Sequence, residues 1–208
     1  LFVVLHALSA VRYPGGTWFE KGAPRYDFFR NFLCDTMHAR TLSGRRNPGA
    51  LAARASLIAM GCAVVLFGVI GVFSSSGWLA RLIPWAGALS GLAVVAVVLT
   101  PSDAYPVAHG FAVVIAGVLG LAGAVGLLWL HVTHQETLGP VWLAGTIMMV
   151  LGFGNLVLYI THQYLGAPLT VALPAIQKGA TVAALVWFLW TAWLSWRGVT
   201  IPAASCAP

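Results

Sequence analysis

Charge is what this chain has least of. Only 8% of its 208 residues are charged, while 60% are hydrophobic. An ordinary soluble domain carries about 25% and 45–50%. A particle of 21.9 kDa keeps much of its surface outside, so this much apolar side chain cannot be hidden from water. A soluble enzyme and a disordered chain are both excluded. Cysteine pairs are lacking too. Cys34, Cys62 and Cys206 form an odd set without CxxC spacing, which excludes a disulfide-stapled secreted module and a thiolate metal knuckle. There is no P-loop, no GxSxG elbow, no Rossmann fingerprint and no charged voltage-sensor helix.

What remains is an integral membrane protein. Nine Trp, 23 Gly and a mean hydropathy of +0.88 agree with it, since Trp gathers at membrane interfaces and Gly is common in membrane helices. The net charge of +6 is concentrated: of 11 Lys and Arg, eight lie between Arg12 and Arg54. In a membrane protein such a block marks a loop facing anionic lipid. Aromatic residues and the acids Glu20, Asp27 and Asp35 share the block, which argues against a nucleic-acid partner.

The chain reads as a single membrane domain, 1–208, without internal repeats. The apolar run Leu1–Val11 is shorter than the roughly 20 residues a span needs, and reads as the second half of a first helix. Arg12-Tyr13-Pro14-Gly15 does not resemble a signal-peptide cleavage site. Five spans follow within 48–196, at about 50–74, 82–100, 107–131, 140–163 and 173–196, and 197–208 is a tail. Pro48, Pro84, Pro106, Pro140 and Pro174 stand at or near their first turns, where a missing N–H costs nothing. Asn47 is a good N-cap. Ser74 to Gly77 ends the second span, with Trp78 and Trp85 marking that interface. The fold class expected is all-α, a polytopic bundle of about six transmembrane helices.

Six helices put the first loop, 13–47, on one face together with the loops Thr100–Pro106 and Tyr164–Ala172. The basic block makes that face cytoplasmic, and a bacterial inner membrane is the expected location. Within the first loop, residues 26–40 read as an amphipathic interfacial helix. At about 100° per residue, Phe28, Phe29, Phe32, Leu33, Thr36 and Met37 share one half of the wheel; Arg30, Asn31, Cys34, Asp35 and His38 share the other. Phe28, Phe29, Phe32 and Leu33 are expected to be buried.

Ionisable groups at membrane depth are costly and therefore point to function. Asn31, Asp35 and His38 share a face; Asp103 and His109 flank the start of the fourth span; Asn155, Tyr159 and His162 share another face; Gln177 and Lys178 lie one turn into the last span. All map to the end of the bundle that carries the first loop. Asp35, His38, Asp103, His109 and His162 are the candidate acid–base residues. Asn31, Asn155, Tyr159 and Lys178 are candidates for substrate binding, Tyr159 and Lys178 by orienting or neutralising a phosphate or oxyanion. Asp35, His109 and His162 are candidate ligands for Zn²⁺ or another divalent metal. The plainer alternative is that these groups cap helices, pair locally or snorkel. His131, His134 and Glu136 form a smaller cluster at the opposite face, and His6 reads as a satisfied packing histidine. Gly117, Gly120, Gly123 and Gly126 recur every third residue, a pattern for close helix packing.

Tyr13-Pro14-Gly15-Gly16-Thr17-Trp18, Asn31-Phe32-Leu33-Cys34-Asp35 and Asn47-Pro48 before a span resemble a group of prokaryotic six-helix membrane proteins, the domain of unknown function 998. That group is distantly similar to the Frag/DRAM/Sfk membrane proteins. The resemblance covers the first loop best and Asp103–His109 less well. It implies six helices and a lipid-related role, and brings no catalytic residues. Three functions are therefore carried forward. The first is a lipid-interacting protein acting as a hydrolase or transferase at an Asp/His pocket. The second is a non-catalytic subunit held by partner membrane subunits. The third is a small transporter, which the absence of two similar halves with broken helices weakens.

Overall fold

The structure, a computed structural model, describes residues 1–74, 78–134 and 139–197. Among the described residues six α-helices follow in chain order: α1 Phe2–Arg12, α2 Ala50–Ser74, α3 Trp78–Leu99, α4 Pro106–His134, α5 Gly139–Leu165 and α6 Ala172–Trp196. Helices α2 to α6 are long and apolar enough to cross a membrane, and α1, at 11 residues, is not. The chain is thus an all-helical membrane bundle. Helix bounds lie within a few residues of the expected spans. Pro84 is an exception to the expected device: α3 begins at Trp78, so this proline stands in its second turn.

Each helix packs on its neighbour in sequence, as short connections dictate. Phe67 of α2 meets Phe188 of α6 edge-on at 5.2 Å. Small residues permit close backbone approach in lipid. A Cβ on Gly61 would lie 2.9 Å from the Gly91 carbonyl oxygen, and one on Gly91 would lie 2.7 Å from that of Gly61. The expected glycine row of α4 does pack: Gly120, Gly123 and Gly126 face Ser90, Gly87 and Ile83 of α3, while Gly117 faces Leu156 of α5.

Two apolar cores result among the described residues. One, formed by Ala124, Met148 and Trp187, joins α4, α5 and α6. The other joins α2, α3 and α4 through Ala53, Leu57, Val97, Val98 and Ala112, and takes in Met37 of the first loop. That loop is therefore a structural part of the bundle. His6 departs from expectation. Its ring stacks on Phe2 at 5.8 Å, but both ring nitrogens are buried without a hydrogen-bond partner among the described residues. The side chains of His131 and His134, all of Glu136, the Ser75–Gly77 connection and the tail beyond 197 lie outside the described residues.

Candidate functional site: a polar cap on one end of the bundle

Residues 13–47 fold into a cap. The expected interfacial helix over 26–40 is not formed; its only helical piece is one 3₁₀ turn, Cys34–Met37. The reason is competition for backbone groups. Asp27 Oδ1 accepts from the amides of Phe29 and Arg30, Asn31 Oδ1 from that of Asp27, and Asp35 Oδ2 from that of Phe32. Side chains of this kind offer the backbone an alternative to helical bonds. The burial pattern changes accordingly. Leu33 and Met37 are buried, as the wheel required, but Phe28 and Phe29 are exposed and Phe32 is only half-buried. Asn31, Asp35 and His38, on the supposed solvent side, are buried.

Asp35 is the keystone. Its Oδ1 accepts from the Trp18 indole N–H at 3.0 Å. Its Oδ2 accepts from the Asn31 side-chain amide at 3.2 Å and the Phe32 amide at 2.8 Å. Burial pushes this carboxyl above its ordinary value, opposed by those three donors and by His38. Asn31 also donates to the Gly16 carbonyl at 2.9 Å, which draws the Tyr13–Trp18 turn over the acid. Only glycine suits that turn. Gly16 has φ +90°, and a Cβ there would stand 2.4 Å from the Ser43 amide nitrogen. Burial also raises the Cys34 thiol and the Tyr13 phenol to about 12.

Three elements hold the cap down. From α6, Gln177 Oε1 accepts from the Leu33 amide at 3.0 Å. The buried Lys178 ammonium donates to the carbonyls of Asn31 and Pro174 and lies 5.2 Å from the Phe28 ring centre. From α2, Arg54 Nε donates to the Met37 carbonyl at 3.0 Å. Asn47 caps this helix as expected, its Oδ1 accepting from Gly49, while its amide nitrogen donates to Thr36 and His38 carbonyls. From the α3–α4 loop, Ser102 Oγ lies 2.7 Å from His38 Nε2.

The candidate residues thus share one end of the molecule but not one pocket. Asn31, Asp35 and Lys178 belong to a single network. His38 belongs to the contact with Ser102. His109 Nδ1 is held by the Thr100 carbonyl at 2.8 Å, and His162 Nδ1 by the Ala167 carbonyl at 2.9 Å; each closes the end of a helix. Asp103 is exposed, and Asn155 is half-buried along α5. Tyr159 turns toward α4, where its hydroxyl would stand 3.6 Å from a Cβ on Gly110. The expected metal set of Asp35, His109 and His162 finds no support in the geometry. Among the described residues no three His, Cys, Asp or Glu side chains are grouped to hold a metal ion, because each of these has been recruited by a local hydrogen bond.

No family model, no curated protein and no solved structure matches this chain.

Its chemistry is therefore read from its own geometry. Trp18 and Ser102 escaped the sequence reading. Trp18 stands inside a turn motif, and Ser102 is a single hydroxyl in a short loop. Only the adjacency of Ser102 to Asp103, on the same face as His38, pointed toward it. The second polar feature is an open cleft of about 640 Å³ at the start of α2. Ala39, Arg46, Asn47, Pro48, Ala50, Leu51 and Arg54 line it. Arg46 and Leu51 are exposed, so a guanidinium and an aliphatic surface stand side by side.

Proposed function

We propose that this integral membrane protein binds membrane lipid at its capped end, with an anionic headgroup against Arg46 and Arg54 and an acyl chain along Leu51. The cleft carries the reading. Two guanidiniums supply planar donors that match a phosphate, and they stand where a spanning helix begins, the depth at which lipid phosphates lie. The exposed Trp18, Phe19, Phe28 and Phe29, interspersed with Lys21, Arg25 and Arg30, suit the same surface. The basic block favours a cytoplasmic cap in a bacterial inner membrane. The resemblance to the domain of unknown function 998 is part of this proposal. Its quoted residues, Gly16, Asn31, Asp35 and Asn47 among them, are those that build the cap.

The test uses the purified full-length chain, delipidated in detergent, exchanged with phosphatidylglycerol or phosphatidylcholine and weighed by native mass spectrometry. Phosphatidylglycerol should be retained preferentially, and Arg46→Gln should cut that retention severalfold with the fold intact. Equal retention of both lipids by the unaltered chain would refute the reading. The second reading, a non-catalytic subunit among partner membrane subunits, draws on α5, of whose span only 17% is buried within the chain. Lipid also covers such a face, so the cleft decides between them.

A further inference from the structure

We propose that Ser102 and His38 form a nucleophile–base pair that cleaves an acyl ester at the membrane surface. The ester being a lipid's rests on the lipid-binding reading above; the pair itself does not. The contact is 2.7 Å between Ser102 Oγ and His38 Nε2, within the reach general-base activation of a hydroxyl requires. With the ring proton on Nδ1, Nε2 accepts from the serine. The imidazole is buried, and its backbone is fixed on both sides. The His38 amide donates to the Asp35 carbonyl at 3.3 Å, and the His38 carbonyl accepts from Asn47 at 3.0 Å. Asp35 is no third member of a triad, since among the described residues its oxygens accept from Trp18, Asn31 and Phe32 and not from the His38 ring.

Ser102, unlike His38, is only half-buried, and Asp103, Ala104 and Tyr105 beside it are exposed. A substrate can therefore reach Oγ from the open side of the loop. Among the described residues the amides of Ser102 and Asp103 donate to no protein acceptor. They are available to an oxyanion formed next to Oγ. The loop joins the end of α3 at Leu99 to the start of α4 at Pro106, the depth of headgroups and acyl-ester carbonyls. In the first step Ser102 Oγ bonds to the carbonyl carbon while its proton passes to His38 Nε2. The tetrahedral adduct then expels the alcohol, which takes that proton, and leaves an acyl-serine. Water attacks the acyl-serine, gives its proton to His38, and on collapse the proton returns to Ser102 as the carboxylic acid departs.

The experiment treats the full chain in nanodiscs with a biotinylated alkyl fluorophosphonate and maps the adduct by peptide mass spectrometry. A single adduct on Ser102 is expected, absent in Ser102→Ala and formed at least about tenfold more slowly in His38→Gln, given the 10²–10⁴ that a general base contributes. Ser102→Ala removes one of the cap's three tethers, so the cap's resistance to trypsin is checked in both variants, and the adduct map of the unaltered chain tests the nucleophile even should either variant unfold. No adduct on Ser102 in the folded, unaltered chain overturns the pair, as does an unchanged rate in folded His38→Gln. Labelling of Ser102 without fatty-acid release from phosphatidylglycerol nanodiscs upholds the nucleophile and overturns the lipid ester as its substrate.

Discussion

The cap and the bundle beneath it are specified by opposite means. In the bundle, fit is set by what side chains lack: Gly61 and Gly91 allow α2 and α3 to touch, and most of each helix surface remains free to meet lipid. In the cap, fit is set by what side chains supply. Asp35, Asn31, Asn47 and Lys178 each satisfy two or more partners that would otherwise be buried and unpaired. The lesson is that apolar packing in lipid tolerates many sequences that keep the small residues, whereas a buried polar network fails as a unit when one member is removed.

That contrast is broken most sharply at Asp35. Asp35→Leu leaves three donors facing hydrocarbon, at about 1–3 kcal/mol for each group that finds no substitute. The expected outcome is a cap that trypsin cleaves at Lys21, Arg25 or Arg30 in a chain whose helical circular dichroism is kept. Resistance equal to that of the unaltered chain would show that the network is dispensable. The reciprocal probe is Gly61→Ala. Its methyl must push Val95 or the Gly91 carbonyl aside, at a cost of about 1–3 kcal/mol for overpacking. Thermal stability in detergent should fall while the cap stays resistant to trypsin at low temperature. Cleavage of the cap in this variant would mean that the two regions are not separable.

The smallest effect comes from alkali. Burial holds Cys34 and Tyr13 up at about 12, from ordinary values of 9.0 and 10.0. The unfolded cap releases these protons first, so their contribution is complete below about pH 9 and declines as pH rises toward 12. At pH 10 the unfolded thiol is already largely ionised while the folded one is not, so the cap is weakened there. Tryptophan emission, with Trp18→Phe subtracted to isolate the cap from the other eight tryptophans, should shift reversibly over that range, and Cys34→Ala should move the onset upward. A flat emission from pH 8 to 11 would contradict the assigned burial.

Much of the bundle was legible because lipid imposes one rule on every span. About 20 apolar residues and a terminal proline or asparagine identify a helix whatever it packs against. The cap was not legible in the same way. Residues 26–40 carry a helical wheel, yet Asp27, Asn31 and Asp35 spend their side chains on nearby amides, and no periodicity discloses that choice. The shared sidedness of Asp35, His38, His109 and Lys178 was readable from span parity. Their angular positions were not, and these separated the histidines of α4 and α5 from the carboxylate. Gln177 was recognised as close to the face, but its partner, the Leu33 amide, lies 144 residues away and leaves no local trace.

The bond from Lys178 to the Asn31 carbonyl spans 147 residues, and this separation acquires meaning during synthesis. A ribosome adds about 5–20 residues per second, so Asn31 waits roughly 7–30 s for its lysine to be made. Throughout that interval the first loop has been released beside the membrane, with its acid, its amides and its aromatic side chains lacking their last tether. Completion of the cap is thereby tied to insertion of the final helix. A chain interrupted before α6 would present Asn31 and Leu33 with open backbone groups.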